Sequence, residues 1–132
     1  MDRRGKVALV TGAARRVGRD VVLDLARSGM DVLIHYGRSQ EAAERTASEA
    51  RSQGVRAETF SADLADPEAI AGLAAAVGER FGRLDLLVNN AATFDKMPFE
   101  EIGVEDWERS MQINLRAPFL LIQRCLPWLR AP

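Results

Sequence analysis

A doubly wound, parallel α/β sheet with strand order 3-2-1-4 is the fold this sequence predicts, and three features predict it. Short apolar runs, too brief for helices, recur along the chain, the first being Val7-Ala8-Leu9-Val10. Between them lie longer stretches whose apolar residues repeat at helical spacing. Glycine, or an Asp-Pro pair, punctuates the junctions. Strands that alternate with helices imply βαβ units, right-handed crossovers and a parallel sheet. No repeat, low-complexity tract or linker interrupts the alternation, so residues 1–132 read as one domain. Such a sheet binds its ligand outside the carboxyl ends of its strands, where the order reverses, here between the first and fourth.

Val7 to Val10 is a buried parallel strand, four apolar residues rich in valine. A helix from about Arg16 to Ser28 presents Val17, Val21, Val22 and Leu25 on one face, and Gly29 closes it. Val32 to Tyr36 is the second strand. Ser39 can cap a helix that runs to about Ser52 on Ala42, Ala43, Thr46, Ala47 and Ala50, with Gly54 after it. Val55 to Phe60 alternates as a third strand. Asp66 with Pro67 is a strong helix start, and Ile70, Leu73, Ala74 and Val77 form that helix's stripe as far as Phe81-Gly82. Leu84 to Val88 is the fourth strand, and Asn89 to about Gly103 is loop. A last helix from Asp106 uses Trp107, Met111, Leu115, Phe119 and Ile122.

Composition narrows the partners. The formal net charge is −1, so no general attraction to nucleic acid or to an anionic membrane is expected. The single cysteine, Cys125, excludes an internal disulfide and fits a reducing cytoplasm. No apolar run reaches membrane-spanning length, and Met1 to Lys6 reads as a lead-in to a strand rather than a signal-peptide core. A cytoplasmic protein is expected.

The stretch from Lys6 to Arg19 carries the first chemistry. A strand feeds a helix through Thr11-Gly12 and a small-residue turn, with Gly18 in the helix's first turn. Free backbone N–H groups and the positive end of a helix dipole then point at one spot, which suits a phosphate. The spacing is not the plain dinucleotide fingerprint, because no glycine stands two after Gly12, and it is no Walker loop. From these residues alone a plain strand–helix loop and a phosphate site are both open. Arg15 and Arg16 are either a solvated turn or cations beside that phosphate.

Thr-Gly-x-x-x-Gly-x-Gly after an N-terminal strand is the signature of the short-chain dehydrogenase/reductase family, which this chain resembles at Thr11, Gly12 and Gly18. Arg16 stands where the family's middle glycine is usual. Thr-Gly-Ala-Ala-Arg-Arg-Val-Gly is most similar to the pteridine-reductase-like branch, which also has an arginine there. The resemblance covers the whole chain and implies a Rossmann-type fold, hydride transfer between a nicotinamide and a carbonyl or imine, and a homo-oligomer, dimer or tetramer, in the full-length form. It assigns Thr11, Gly12, Arg15, Arg16, Val17 and Gly18 to the cofactor.

After the second strand comes His35-Tyr36-Gly37-Arg38-Ser39, which is similar to the same segment of pteridine reductases. NAD-preferring sites place a carboxylate here for the ribose 2′-hydroxyl. This chain offers Arg38 and Ser39 instead, so NADP(H) is expected over NAD(H). A charge-assisted bond from Arg38 to a 2′-phosphate contributes roughly 1.5–3 kcal/mol. The alternatives are a surface charge leading a helix for Arg38, and a satisfied strand-end residue for His35. Asp63-Leu64 resembles the family element whose Asp accepts from the adenine amino group, although Asp63 also suits an ordinary loop cap. Asn89-Asn90-Ala91 matches the family's Asn-Asn-Ala-Gly, with Ala92 replacing the glycine. There Asn89 and Asn90 can tie the strand end to neighbouring backbone, while Ala91 is small enough for a ribose to approach.

Asn114 occupies the position of the family's catalytic asparagine. Pro118, four residues on, has no N–H, so the Asn114 carbonyl loses its helical partner and can hold a water. The alternative is a buried Asn beside a mild proline kink. Asn-Asn-Ala-Ala-Thr-Phe resembles a pteridine-reductase segment whose aromatic ring stacks on a flat pterin, which makes Phe94 a candidate substrate contact or else loop packing. The family's Ser and Tyr-x-x-x-Lys cannot be matched, because Tyr36 is the only tyrosine and Gln40 stands four residues after it. The chain therefore reads as the N-terminal, cofactor-binding half of a longer reductase, truncated before the later strands and inactive alone. Leu84 to Val88 is patterned as an interior strand, so self-association or poor solubility is expected of this half. Competing readings are a 3-oxoacyl carrier-protein reductase or sugar dehydrogenase, a non-catalytic nucleotide-binding module, and a methyltransferase, the last disfavoured by the basic end of strand two. No metal site is expected.

Overall fold

The structure is a computed structural model and describes residues 2–93 and 96–131. Four parallel strands, β1 (Val7–Val10), β2 (Asp31–Tyr36), β3 (Ala57–Ser61) and β4 (Leu86–Val88), form one sheet in the order β3-β2-β1-β4. This is the 3-2-1-4 order read from the sequence. In register, Val10 lies beside Ile34 on one side and Val88 on the other.

Period-two alternation divides β1 between two cores. Ala8 and Val10 face α1 (Arg16–Arg27) and α2 (Gln40–Arg51), where they meet Val22, Leu25 and the alanines of α2. Val7 and Leu9 face α3 (Pro67–Phe81) and α5 (Ala117–Leu129), where they meet Ile70, Leu73, Val77 and Leu121. Ala42, Ala43, Thr46, Ala47 and Ala50 are all buried, as their spacing predicts. Small side chains on that stripe bring α2 close to the sheet. Asp66 caps α3, its Oδ1 accepting from the Glu68 N–H at 3.0 Å ahead of Pro67. Gly29, at φ 93°, ends α1: its own N–H donates to the Ala26 carbonyl, and the Met30 N–H to the Leu25 carbonyl.

Three expectations need correction. Val17 is 65 % exposed and does not join the α1 core face, because it lies at the mouth of the cleft above β1. Ser39 precedes α2 but makes no side-chain cap. The third concerns the last helix, which is α4 (Val104–Met111), a wide turn over Gln112–Arg116 with i→i+5 geometry, and α5. Its expected stripe of Trp107, Met111, Leu115, Phe119 and Ile122 is on the outside, with Leu115 68 % exposed. The buried side is Ile113, Ala117, Leu121 and Cys125. Pro118 cannot donate to the Asn114 carbonyl and the helix widens there; Trp107 and Met111, ahead of that turn, are exposed as well, because the face at Ile113, Ala117, Leu121 and Cys125 is the one that meets α3 and β1. Burial pushes the Cys125 thiol up to about 11, so it packs as an inert apolar group.

The two outer strands differ. β3 carries Glu58, paired with Arg56 at 3.0 Å and Arg80 at 3.3 Å, the charged dressing of an edge. β4 is Leu-Leu-Val, half-buried, with no partner on its far side among the described residues.

Candidate cofactor site

A cleft of about 820 Å³ opens across the carboxyl ends of the strands. Its walls include Gly12, Arg15, Arg16 and Val17 after β1, His35, Gly37 and Arg38 after β2, Asp63 and Leu64 after β3, and Asn90 to Thr93 after β4. Four segments distant in sequence thus meet at one place.

Behind the cleft, a hydrogen-bond network fixes these turns to one another. Thr11 is buried, and its Oγ1 accepts from the N–H groups of Asn90 (3.0 Å) and Ala91 (2.9 Å). The Asn90 Nδ2 donates to the Gly12 carbonyl at 3.1 Å. Gly12 adopts φ 59°, and a side chain there would meet the Ala91 Cα at 2.8 Å. Gly18 allows the closest approach, since a Cβ would run into the Gly12 carbonyl and come within 2.6 Å of Asn90 Nδ2. These two glycines let the first turn of α1 sit against the ends of β1 and β4.

His35 clips three strand ends together. Its Nδ1 accepts from the Gly12 N–H at 3.0 Å, which leaves Nε2–H to donate to the Ala62 carbonyl at 2.9 Å. Its own carbonyl accepts from the Ala13 N–H at 2.9 Å. Burial holds the imidazole below its usual pKa, so the ring is neutral, as an acceptor Nδ1 requires. Both ring nitrogens are engaged with protein, which corresponds to the satisfied strand-end reading.

The charge of the cleft is uneven. Arg15, Arg16, Arg38 and Arg109 line it against one carboxylate, Asp63, in a chain whose net charge is −1. Asp63 lies within 3.6 Å of Arg109; no ion pair among the described residues engages Arg15, Arg16 or Arg38. Arg16 adopts φ 54°, an unfavourable region for a residue with a Cβ. That is the position at which a glycine is usual.

The remaining expected residues fall elsewhere. Thr11 and Gly18 shape the cleft from behind rather than line it. Tyr36 points the other way from His35, by strand alternation, and packs on the α1–α2 core. Ser39 lies outside the lining. Asn89 is exposed and forms none of the ties expected of it; Asn90 alone does that work. Asn114 reaches the loop after β4, where its Oδ1 accepts from the Thr93 N–H (2.8 Å) and its Nδ2 donates to the Thr93 carbonyl (2.9 Å). Phe94 lies outside the described residues. Sequence reasoning missed Gly37, Ser61, Ala62, Ala92, Thr93, Arg109 and Ile113 as lining. None of these had a signal in the sequence; Arg109 in particular meets Asp63, which only the fold brings to it.

The short chain dehydrogenase family model matches residues 6–131. The chain belongs to the short-chain dehydrogenase family. It is 40% identical over 124 residues to a short-chain type dehydrogenase/reductase of Picea abies, covering 88% of this chain and 46% of that one. A short chain dehydrogenase from Burkholderia cenocepacia J2315 in complex with NADP superposes with a TM-score of 0.94 at 36% identity, over 98% of this chain and 53% of that one. An NAD+-bound xylitol dehydrogenase superposes at 0.89 with 29% identity, over 98% and 50%. The chain thus spans about half the length of the relatives it matches. The family's fold agrees with the sheet order, and both nicotinamide cofactors occur among its neighbours. Among the described residues no helix is long and apolar enough to cross a membrane, and no cluster of metal-ligating side chains occurs.

Proposed function

We propose that these residues form the cofactor-binding part of an NADP(H)-dependent oxidoreductase that acts on a carbonyl or imine, in the cytoplasm and as a homo-oligomer. The reading is carried by one observation: Arg15, Arg16 and Arg38 face the cleft while the end of β2 offers no carboxylate. A 2′-phosphate would be attracted there, whereas the carboxylate that favours a free 2′-hydroxyl is missing.

The residues divide the work by type. Gly12, Gly18 and the start of α1 accommodate the pyrophosphate, with backbone N–H groups and the helix dipole as its partners. Arg38 and Arg15 hold the 2′-phosphate. Asp63 accepts from the adenine amino group, and Asn90 with Ala91 forms the floor under the nicotinamide ribose. The bound nicotinamide supplies the hydride. Asn114 fixes the loop after β4 through Thr93, and its backbone carbonyl, denied a helical donor by Pro118, would hold a relay water. Because the Ser and the Tyr-x-x-x-Lys of the family cannot be matched here, these 132 residues bind cofactor without turnover by themselves. A flat heteroaromatic substrate such as a pterin is inferred from the similarity of Asn89–Phe94 to the pteridine reductases.

The experiment is a titration of the full-length protein and its Arg38→Ala variant with NADPH and NADH, followed by ligand fluorescence. NADPH is expected to bind the parent more tightly, and the variant to lose about 10- to 100-fold for NADPH only. Equal affinities in the parent would remove the phosphate role. Turnover of an oxidised pterin against a linear 3-oxoacyl thioester with NADPH as hydride donor, in the same preparation, tests the substrate class.

A further inference from the structure

The turn that carries Asp63 is held by the helical segment that bears Arg109 and Arg116. Asp63 Oδ1 accepts from the Ala65 N–H at 2.9 Å and lies 3.6 Å from an Arg109 Nη2. Seven residues further along the same helical segment, Arg116 donates to the Ala65 carbonyl at 2.7 Å. Both arginines thus reach the same short turn, one to a side chain and one to a backbone carbonyl. Between them, Ile113 packs in the same apolar cluster as Leu64. Arg109, Ile113, Asp63 and Leu64 all line one end of the cleft.

The two oxygens of the Asp63 carboxylate therefore differ. Oδ1 is committed to the Ala65 backbone and to the Arg109 guanidinium, while Oδ2 makes no hydrogen bond within the described residues. A carboxylate fixed through one oxygen presents the other in a set direction. It is an acceptor only, so it favours a purine that offers an exocyclic amine and disfavours one that offers a carbonyl there. The Arg109 guanidinium is half exposed at the mouth of this end, and its planar face suits an aromatic ring.

We propose that Arg109 is a positioning residue for base recognition: it orients Asp63 to read the amino group of adenine and forms the outer wall against which the base lies. This rests on the reading of the cleft as a dinucleotide site. Arg109 acts through Asp63 for selectivity and directly on the ring for affinity, so its loss changes two separable quantities. An exposed ion pair and an exposed cation–π contact are each modest, so Arg109→Ala should weaken NADPH binding about five-fold.

The discriminating probe is the deaminated cofactor, nicotinamide hypoxanthine dinucleotide phosphate, which carries a carbonyl in place of the adenine amine. Equilibrium titrations with it and with NADPH are made on the full-length protein and on Arg109→Ala, Arg109→Lys, Asp63→Asn and the Arg109→Ala/Asp63→Asn pair. The parent should prefer NADPH, and Arg109→Ala should cut that preference at least three-fold, with Arg109→Lys intermediate. In the Asp63→Asn background, removing Arg109 should leave the preference unchanged, because its effect on selectivity runs through the carboxylate. A preference unaltered by Arg109→Ala overturns the proposal, as does an equal change in both backgrounds. If the parent binds neither cofactor, the dinucleotide reading of the cleft fails first, a result distinct from binding without discrimination. Circular dichroism of each variant, matched to the parent, separates these outcomes from misfolding; should Arg109→Ala misfold, the Arg109→Lys titration decides alone.

Discussion

Replacing Thr11 by valine removes one oxygen at nearly constant volume, and the structure sets what that oxygen is worth. Its two donors are not equivalent. The Asn90 N–H is shared between Thr11 Oγ1 (3.0 Å) and the Val88 carbonyl (3.1 Å), so it keeps a partner after substitution. The Ala91 N–H has Thr11 Oγ1 as its acceptor, at 2.9 Å. With Thr11 only 1% exposed, water cannot take the place of the hydroxyl. One stranded donor costs about 1–3 kcal/mol and one weakened shared bond about 0.5 kcal/mol, while the added methyl returns a few tenths. The net loss is about 2 kcal/mol. The assay is urea unfolding monitored by far-UV circular dichroism, comparing midpoints at unchanged m. Thr11→Ser keeps the acceptor and should retain most of the stability. If Thr11→Val unfolds within about 0.5 kcal/mol of the parent, or if Thr11→Ser is as damaged as Thr11→Val, the tie between β1 and the loop after β4 does not carry the load assigned to it.

Two further outcomes are expected. His35 is the only histidine of the 132 residues, and its folded pKa is depressed by burial, so the folded state favours the neutral ring. The unfolded state then binds more protons below the ordinary value of 6.5; stability is full above that pH and falls as pH drops toward the folded pKa. A urea midpoint that declines between pH 7.5 and 5.5 in the parent, and declines less in His35→Asn, is the expected result. On the last helix, Leu121→Ala should cost about 2–5 kcal/mol, whereas Leu115→Ala and Phe119→Ala should stay within about 0.5 kcal/mol. Thermal unfolding of the three variants checks which side of the helix is core.

Most of the architecture was legible because each local signal agreed with its neighbours. The strand lengths, the Asp66-Pro67 start, the alanine stripe of α2 and the glycine after α1 all describe the same βα alternation. The last helix misled for a definable reason. Apolar residues repeat on two of its faces, one carrying Trp107, Leu115 and Phe119 and the other Ile113, Ala117, Leu121 and Cys125, and spacing alone reports a stripe without saying what covers it. In the site, residue type was a good guide to the cationic rim and the glycine turn. It was a poor guide to Asn89 and Tyr36, where one step along a strand or loop sends the side chain to the opposite side. Arg109 escaped notice because its partner, Asp63, is distant in sequence and only the fold brings them together.

The left-handed backbone at Arg16 constrains how this position can vary. Glycine rests there without torsional penalty but brings no charge, whereas arginine brings a guanidinium at a cost of about 1 kcal/mol. A β-branched side chain would cost more and contribute nothing to an anion. Mutational drift at this one residue is therefore confined to a narrow choice between backbone ease and positive charge, and a substitution to glycine made for thermostability would remove one cation from the cleft as it relaxed the chain.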